Sequence, residues 1–269
     1  MLPLEILALA AAAVAALALF ARAIEARFAF FPAGGERQTP ADAGIAFEPA
    51  TIRTRDGERL RGWFLPHPRP RAVVLYFHGN GGNLSVWLPI LVDMHRQGYA
   101  VRAIDYRGYG RSSGRPSERG LYVDVDAAIE WAAEDRRAPV IYWGRSLGTA
   151  MASYAATRHR PDGLILEAGF PDAWSLVRGS PPLAILALFS TYRFPTASYV
   201  RRAGCPILVM HGDADQVVPF ALGAALYASA PAPKQFVRIR GGDHNDAAPA
   251  EPDVYWSAVR AFVESLPRR

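Results

Sequence analysis

Gly144-Arg145-Ser146-Leu147-Gly148 decides how the rest of the chain is read. Ahead of it runs Ala138-Pro139-Val140-Ile141-Tyr142-Trp143, a short apolar stretch with the composition of a strand. Behind it comes Thr149 to Ala156, rich in alanine and helical in character. A serine on a sharp strand-to-helix turn needs small residues two positions to either side, because the backbone there passes close to itself. Strand before, helix after and glycine at both flanks are the context of a nucleophile elbow. A chance match to so short a pattern is the competing reading, and the remaining sequence decides against it.

Working outward, strand and helix patterns alternate. Thr51 to Arg55 and Leu60 to Leu65 flank Asp56-Gly57, the sequence of a hairpin turn. Ala72 to Phe77 is continuously apolar, as a strand buried on both faces must be. A helical pattern from Leu84 to Gln97 ends at Gly98, and Tyr99 to Ile104 reads as the next strand. Tyr122 to Glu134 places Val125, Ile129 and Ala132 on one helical face. After the elbow, Gly163 to Leu166, Ile207 to Met210 and Phe236 to Ile239 read as strands, and Val254 to Leu266 as a closing helix. Such alternation builds an α/β fold, a mostly parallel central sheet with helices on both faces. Residues 171–202 are too long for a simple crossover and read as a short cap insertion.

The 269 residues carry 51% hydrophobic and 20% charged side chains, which excludes global disorder. The net charge of +5 comes from scattered arginines, with Lys234 the one lysine. No basic stripe is present, so nucleic acid is not an expected partner. One cysteine, Cys205, excludes an intramolecular disulfide and a cysteine-based metal cluster. Ile6 to Ala21 is uncharged and nearly all Ala, Leu, Ile, Val and Phe. A cleaved signal peptide would use Ala21-Arg22-Ala23 but lacks the basic leading region, and a buried terminal helix is rarely apolar on every face. An uncleaved single-pass anchor over residues 1–23 is the expectation. Arg22, Arg27 and Arg37 follow the run and none precedes it, which favours a cytoplasmic catalytic domain. Residues 24–50 follow as a membrane-proximal linker, with the aromatics Phe28, Phe30 and Phe31 suited to a headgroup zone, and 51–269 as the α/β domain.

A serine nucleophile needs a base, and the base needs an orienting acid. On such a sheet the order along the chain is serine, acid, histidine, each at a strand end. His244, in Gly241-Gly242-Asp243-His244, follows the last strand on a loop able to reach back and is the expected base. His211 ends its strand before the acid loop has been reached, and His159 sits on a helix surface. Asp215 is the expected acid, followed by Gln216 to Pro219, while Asp213 suits a turn and Glu167 a structural carboxylate. The oxyanion requires two backbone N–H groups. Leu147, next to the nucleophile, and Asn80, in the glycine-rich loop His78 to Asn83, are the expected donors. That loop lacks the Gly-Lys-Ser/Thr of a phosphate cradle.

Four motifs in this order resemble the α/β-hydrolase-domain serine hydrolases, in their membrane-anchored branch of depalmitoylases and lysophospholipases. They are Phe77-His78-Gly79-Asn80-Gly81-Gly82-Asn83, Asp105 to Glu118, the elbow, and His211 to Pro219. The resemblance implies the same triad, Ser146, Asp215 and His244, and activity on ester, thioester or lipid substrates. It implies no cofactor and no metal. The cysteine-rich N-terminus of the palmitoylated members is missing here. The expectation is therefore a serine hydrolase cleaving esters or thioesters with a hydrophobic acyl group. A peptidase is the rival within the same chemistry, and an inactive membrane-tethered scaffold the rival outside it.

Overall fold

The alternation of strand and helix does produce one mostly parallel sheet. The computed structural model describes residues 4–133, 138–178, 184–185, 187–188 and 190–267. In chain order the elements are helix α1 (Leu4–Ala29), strands β1 (Phe31–Pro32), β2 (Glu48–Arg53), β3 (Arg59–Leu65), β4 (Val73–Phe77) and β5 (Gly81–Gly82). Then come α2 (Leu84–Arg96), β6 (Ala100–Ile104), α3 (Glu118–Ala132), β7 (Val140–Arg145), α4 (Leu147–Arg158) and β8 (Gly163–Glu167). The short helices α5 (Ala173–Val177) and α6 (Thr196–Val200) precede β9 (Ile207–Gly212), α7 (Phe220–Ser229), β10 (Lys234–Ile239), α8 (Ala247–Ala250) and α9 (Pro252–Glu264).

Eight strands form the sheet in the order β10-β9-β8-β7-β4-β6-β3-β2. All neighbours are parallel except β3, which runs antiparallel to both β6 and β2. Because side chains alternate along a strand, the buried runs split between two cores. Leu75, Phe77, Tyr142, Leu164 and Leu166 pack with α3 and α4 on one face. Val74, Tyr76, Ile141, Trp143 and Ile165 pack with α2 and α9 on the other. Two of the helix starts that frame the sheet are fixed by short polar side chains. Asn83 Oδ1 accepts from the Ser85 amide at 3.0 Å, and Ser117 Oγ accepts from the Gly120 amide at 3.1 Å. That second cap starts α3 at Glu118, four residues before the apolar periodicity becomes visible in sequence.

Arg107 ties the hairpin to α3. Its guanidinium reaches Asp56 at 2.8 and 3.0 Å and Asp124 at 2.9 Å. The hydrogen bonds from Arg107 bring the Asp56 carboxyl down from 3.8 to about 2. A depressed folded-state pKa contributes stability that is complete above 3.8 and lost as pH falls through about 2. Asp56→Asn is therefore expected to be less stable than wild type at pH 7 in urea unfolding, with the gap narrowing below pH 3.8. A gap unchanged between neutral pH and about pH 3 would assign the loss to something other than this ion pair.

Two expectations need correction at the N-terminus. Among the described residues no helix is long and apolar enough to cross a membrane. The reason is that α1 is docked at its end. Ala21 is buried, Phe30 just beyond the helix packs its ring 5.3 Å from Tyr192 and 6.2 Å from Phe194, and charges bound the apolar run at Glu5 and Arg22. The 16 uncharged residues from Ile6 to Ala21 reach about 24 Å at 1.5 Å per residue, short of a hydrocarbon layer of about 30 Å. The stretch read as a linker is likewise tied down. β1 pairs with β5, the Gly35 amide donates to Gly110 O at 2.9 Å, and Glu36 accepts from Arg61 at 2.7 Å and Trp63 at 2.8 Å. Of the aromatics assigned to a headgroup zone, Phe30 is buried while Phe28 and Phe31 stand exposed.

Residues 171–202 lie between β8 and β9, where the insertion was expected. Of its apolar run 181–189, positions 181–183, 186 and 189 fall outside the described residues. The far end of the segment is clamped twice. Glu118 accepts from the Arg193 amide at 2.6 Å and the Phe194 amide at 2.7 Å. Glu25 of α1 accepts from the Thr191 amide at 2.7 Å, the Thr191 hydroxyl at 2.8 Å and the Tyr192 amide at 3.1 Å, and also takes the Ser190 hydroxyl.

Candidate active site

β7 ends at Arg145 and α4 begins at Leu147, which leaves one residue, Ser146, for the whole reversal. Its backbone has φ 53° and ψ −119°, a region that L-residues avoid unless their surroundings hold them there. The Ser146 amide donates to Glu167 O at 2.9 Å, and Ser146 O accepts from the Thr149 amide at 2.9 Å. Close approach explains the two glycines. A Cβ on Gly144 would stand 2.1 Å from Gly148 O, and one on Gly148 would stand 1.9 Å from Phe77 O.

Three side chains separated by up to 98 residues meet at this turn. His244 Nε2 lies 3.1 Å from Ser146 Oγ, and His244 Nδ1 lies 2.8 Å from Asp215 Oδ2. The other Asp215 oxygen accepts from the Val217 amide at 2.9 Å and the Val218 amide at 2.7 Å. Burial alone would raise the Asp215 carboxyl. Hydrogen bonds from His211, His244 and the Val218 amide outweigh it and hold the group far below the usual carboxylate range. The carboxylate is thus anionic throughout the neutral range and fixes the proton of His244 on Nδ1.

The other candidates fall elsewhere. Asp213 pairs with Arg238 at 2.6 Å and accepts from the Gly241 amide at 2.7 Å, away from His244. His159 is exposed at the end of α4. His211 is buried behind Asp215, with Nε2 donating to Val218 O at 2.8 Å and 3.4 Å from Asp215 Oδ2. Glu167 is buried among Arg145, Tyr255 and Trp143, with Tyr255 OH donating at 2.9 Å. Cys205 is buried as well, and burial pushes its thiol up to about 12.

Asn80 and Leu147 both line the cavity beside Ser146. Leu147 is the first residue of α4, so its N–H has no intrahelical acceptor. The Asn80 side chain is turned away from the site. Its Nδ2 donates to Ala29 O at 2.7 Å, and its Oδ1 accepts from Tyr109 OH at 2.9 Å. These bonds fix the loop while its amide has no backbone acceptor among the described residues.

One residue escapes the sequence reading. Arg145 occupies the free second position of the elbow, yet its buried guanidinium donates to His244 O at 2.5 Å and stands 3.5 Å from Glu167. It holds the loop that carries His244. Arg145→Met would leave that carbonyl without its donor and let the loop shift, and a displacement of about 1 Å can cost roughly 10²-fold in rate. The expected result is a fall in kcat of that order with KM little changed, partly restored in Arg145→Lys. An unchanged kcat would show that the loop needs no such support.

The cavity above Ser146 has a volume of about 1450 Å³, larger than the range of about 300–1,000 Å³ usual for small-molecule sites. Its walls are mostly apolar, with Phe28 and Ala29 from α1, Val86 and Ile90 from α2, and Leu176 and Val177 from α5. The N-terminal helix is therefore part of the chamber.

A family described as serine aminopeptidase, S33, matches residues 68–201, which include Ser146 and stop short of Asp215 and His244. An uncharacterised protein of Mycobacterium tuberculosis is 32% identical over 265 residues, covering 97% of this chain and 94% of that one. An uncharacterised membrane protein of Saccharomyces cerevisiae is 32% identical over 235 residues, 84% of this chain and 82% of its own. A lysophosphatidylserine lipase of Macaca fascicularis is 35% identical over 189 residues, 61% of this chain and 47% of the lipase. Among solved structures, an esterase of Pyrococcus furiosus superposes with a TM-score of 0.73 at 17% identity, covering 88% of this chain and 97% of the esterase, a likeness of fold. Matched along nearly its whole length and folded around an eight-stranded, mostly parallel sheet with a serine at the elbow, the chain belongs to the α/β-hydrolase family and is a hydrolase.

Proposed function

We propose that the protein is a serine esterase or thioesterase acting on substrates with a hydrophobic acyl group. Ser146 Oγ attacks the acyl carbonyl while His244 Nε2 takes its proton, and Asp215 stabilises the imidazolium that results. The carbonyl electron pair moves onto oxygen, where the Asn80 and Leu147 amides stabilise it. Collapse expels the alcohol or thiol, which takes the proton from His244 and leaves an acyl-serine. Water, deprotonated by the same histidine, then releases the carboxylic acid. In this reading the catalytic domain runs to the C-terminus and includes the tied-in residues before 51, with 171–202 its cap, and α1 meets a membrane as the partner of its apolar surface. The similarity to a lipase and to a membrane protein agrees with a lipid substrate.

The observation that carries the reading is the chain of two hydrogen bonds, 3.1 and 2.8 Å, opening into a cavity with mostly apolar walls. The test is a panel of p-nitrophenyl esters of increasing chain length beside aminoacyl-anilides. Turnover rising with chain length is expected. Preference for the anilides would give the site to a peptidase, and no turnover together with no labelling by a fluorophosphonate would leave a scaffold.

A further inference from the structure

Large apolar side chains that stand exposed are concentrated in one place. Apart from the outer turns of α1 and Val254, those among the described residues are Phe28, Phe31, Val86, Trp174 and Val217, with Ile185 and Leu188. The first five line the cavity above Ser146, and the last two flank Ala187, which lines it too. They come from α1, β1, α2, the segment between β8 and β9, and the loop after β9, so no local bias of sequence accounts for them. Each is between 45% and 68% exposed. A contiguous apolar patch of this kind marks a surface that meets another surface.

The patch does not stop at the cavity. It continues into α1, where every residue from Ile6 to Leu17 is exposed. A stretch of helix that is uncharged and apolar all round, as from Ile6 to Leu17, gains nothing from water on any side. The Glu25 bonds to residues 190–192 hold this helix against the segment between β8 and β9 that also lines the cavity, so helix and rim address the same partner. Exposed cations border the apolar area, Arg22 and Arg27 on α1 and Arg193 on the cavity wall. Arginines at that level suit the anionic headgroups of a lipid layer, whereas a second protein copy would present the same cations to one another.

We propose that this rim seats on a lipid bilayer with α1 embedded beside it, so that the cavity mouth opens into the acyl layer and the substrate chain passes to Ser146 without entering water. The substrate half of the proposal rests on the esterase reading, and the docking surface rests on geometry alone. The full chain is reconstituted into vesicles of phosphatidylcholine and phosphatidylglycerol with brominated acyl chains, and tryptophan emission is recorded. Quenching is expected in the wild type and its loss in Trp174→Phe. Equal quenching in both, or none in either, places the rim away from the lipid and overturns the proposal.

A second variant, Ile185→Asp with Leu188→Asp, is expected to lower hydrolysis of a vesicle-borne long-chain ester about tenfold or more, while turnover of a soluble short-chain ester stays unchanged. Parallel loss of both activities, or of neither, also overturns it. A wild type that quenches but cleaves no ester removes the esterase reading and keeps the docking surface. A dimer that this variant dissociates, with no lipid quenching, gives the rim to a second copy instead.

Discussion

Ser146→Ala is expected to lower ester turnover by on the order of 10⁶, with the fold intact and labelling by a fluorophosphonate abolished. The size follows from how much depends on one oxygen. Without Oγ there is no acyl-serine, and the 2.8 Å bond between His244 and Asp215 orients a base with nothing to activate. What remains is the binding cavity and the two amides, which in comparable hydrolases retain a rate roughly 10³–10⁴ above water. The fold should tolerate the change, because the turn is held by backbone bonds at Ser146 N and O rather than by its side chain. Circular dichroism and the thermal midpoint should match the wild type. Equal labelling of the alanine variant would put the nucleophile elsewhere.

Asp215→Asn should cost roughly 10⁴ in kcat, and Asp213→Asn little. The two residues sit two apart on one loop but face different partners. Asp215 accepts from His244 Nδ1 and from two backbone amides, whereas Asp213 is spent on Arg238 and Gly241. An amide at 215 can turn its NH₂ toward His244 and force the proton onto Nε2, where the histidine can no longer accept from Ser146. At 213 the same change weakens an exposed ion pair, a small effect at most. The readout is kcat against pH for both variants. Comparable losses would mean that Asp215 has no special claim on the histidine.

Much of this was legible because the sequence repeats one rule. Buried parallel strands are continuous apolar runs, and the residues of the proposed site follow where those runs end, which placed Ser146, Asp215 and His244 at strand ends in the sequence; the fold brings the three side chains together. Arg145 was not legible. It occupies a free position of its motif, and its bond to His244 O spans 99 residues, a relation that only tertiary packing creates. The stretch around Phe31 to Glu36 misled for a related reason. Glycine, proline and polar residues read as a linker, yet their backbone groups pair with Gly82 and Gly110 and their one carboxylate with Arg61 and Trp63. The anchor misled because composition counts apolar residues without knowing that the last turns of α1 are committed to the domain.

The pairing of β1 with β5 has a practical side. Apolar N-terminal helices are commonly trimmed to make a protein easier to handle. Here the scissors would cut into the chamber itself. Removing α1 and β1 takes away Ala29 O, which holds the Asn80 side chain, and the edge against which Gly81-Gly82 is paired. A trimmed form would dissolve and still misreport the protein, with the Asn80 loop unbraced even toward short, soluble esters. A faithful water-soluble form keeps the helix from Ala18 onward and replaces the outward side chains between Ile6 and Leu17 with polar ones.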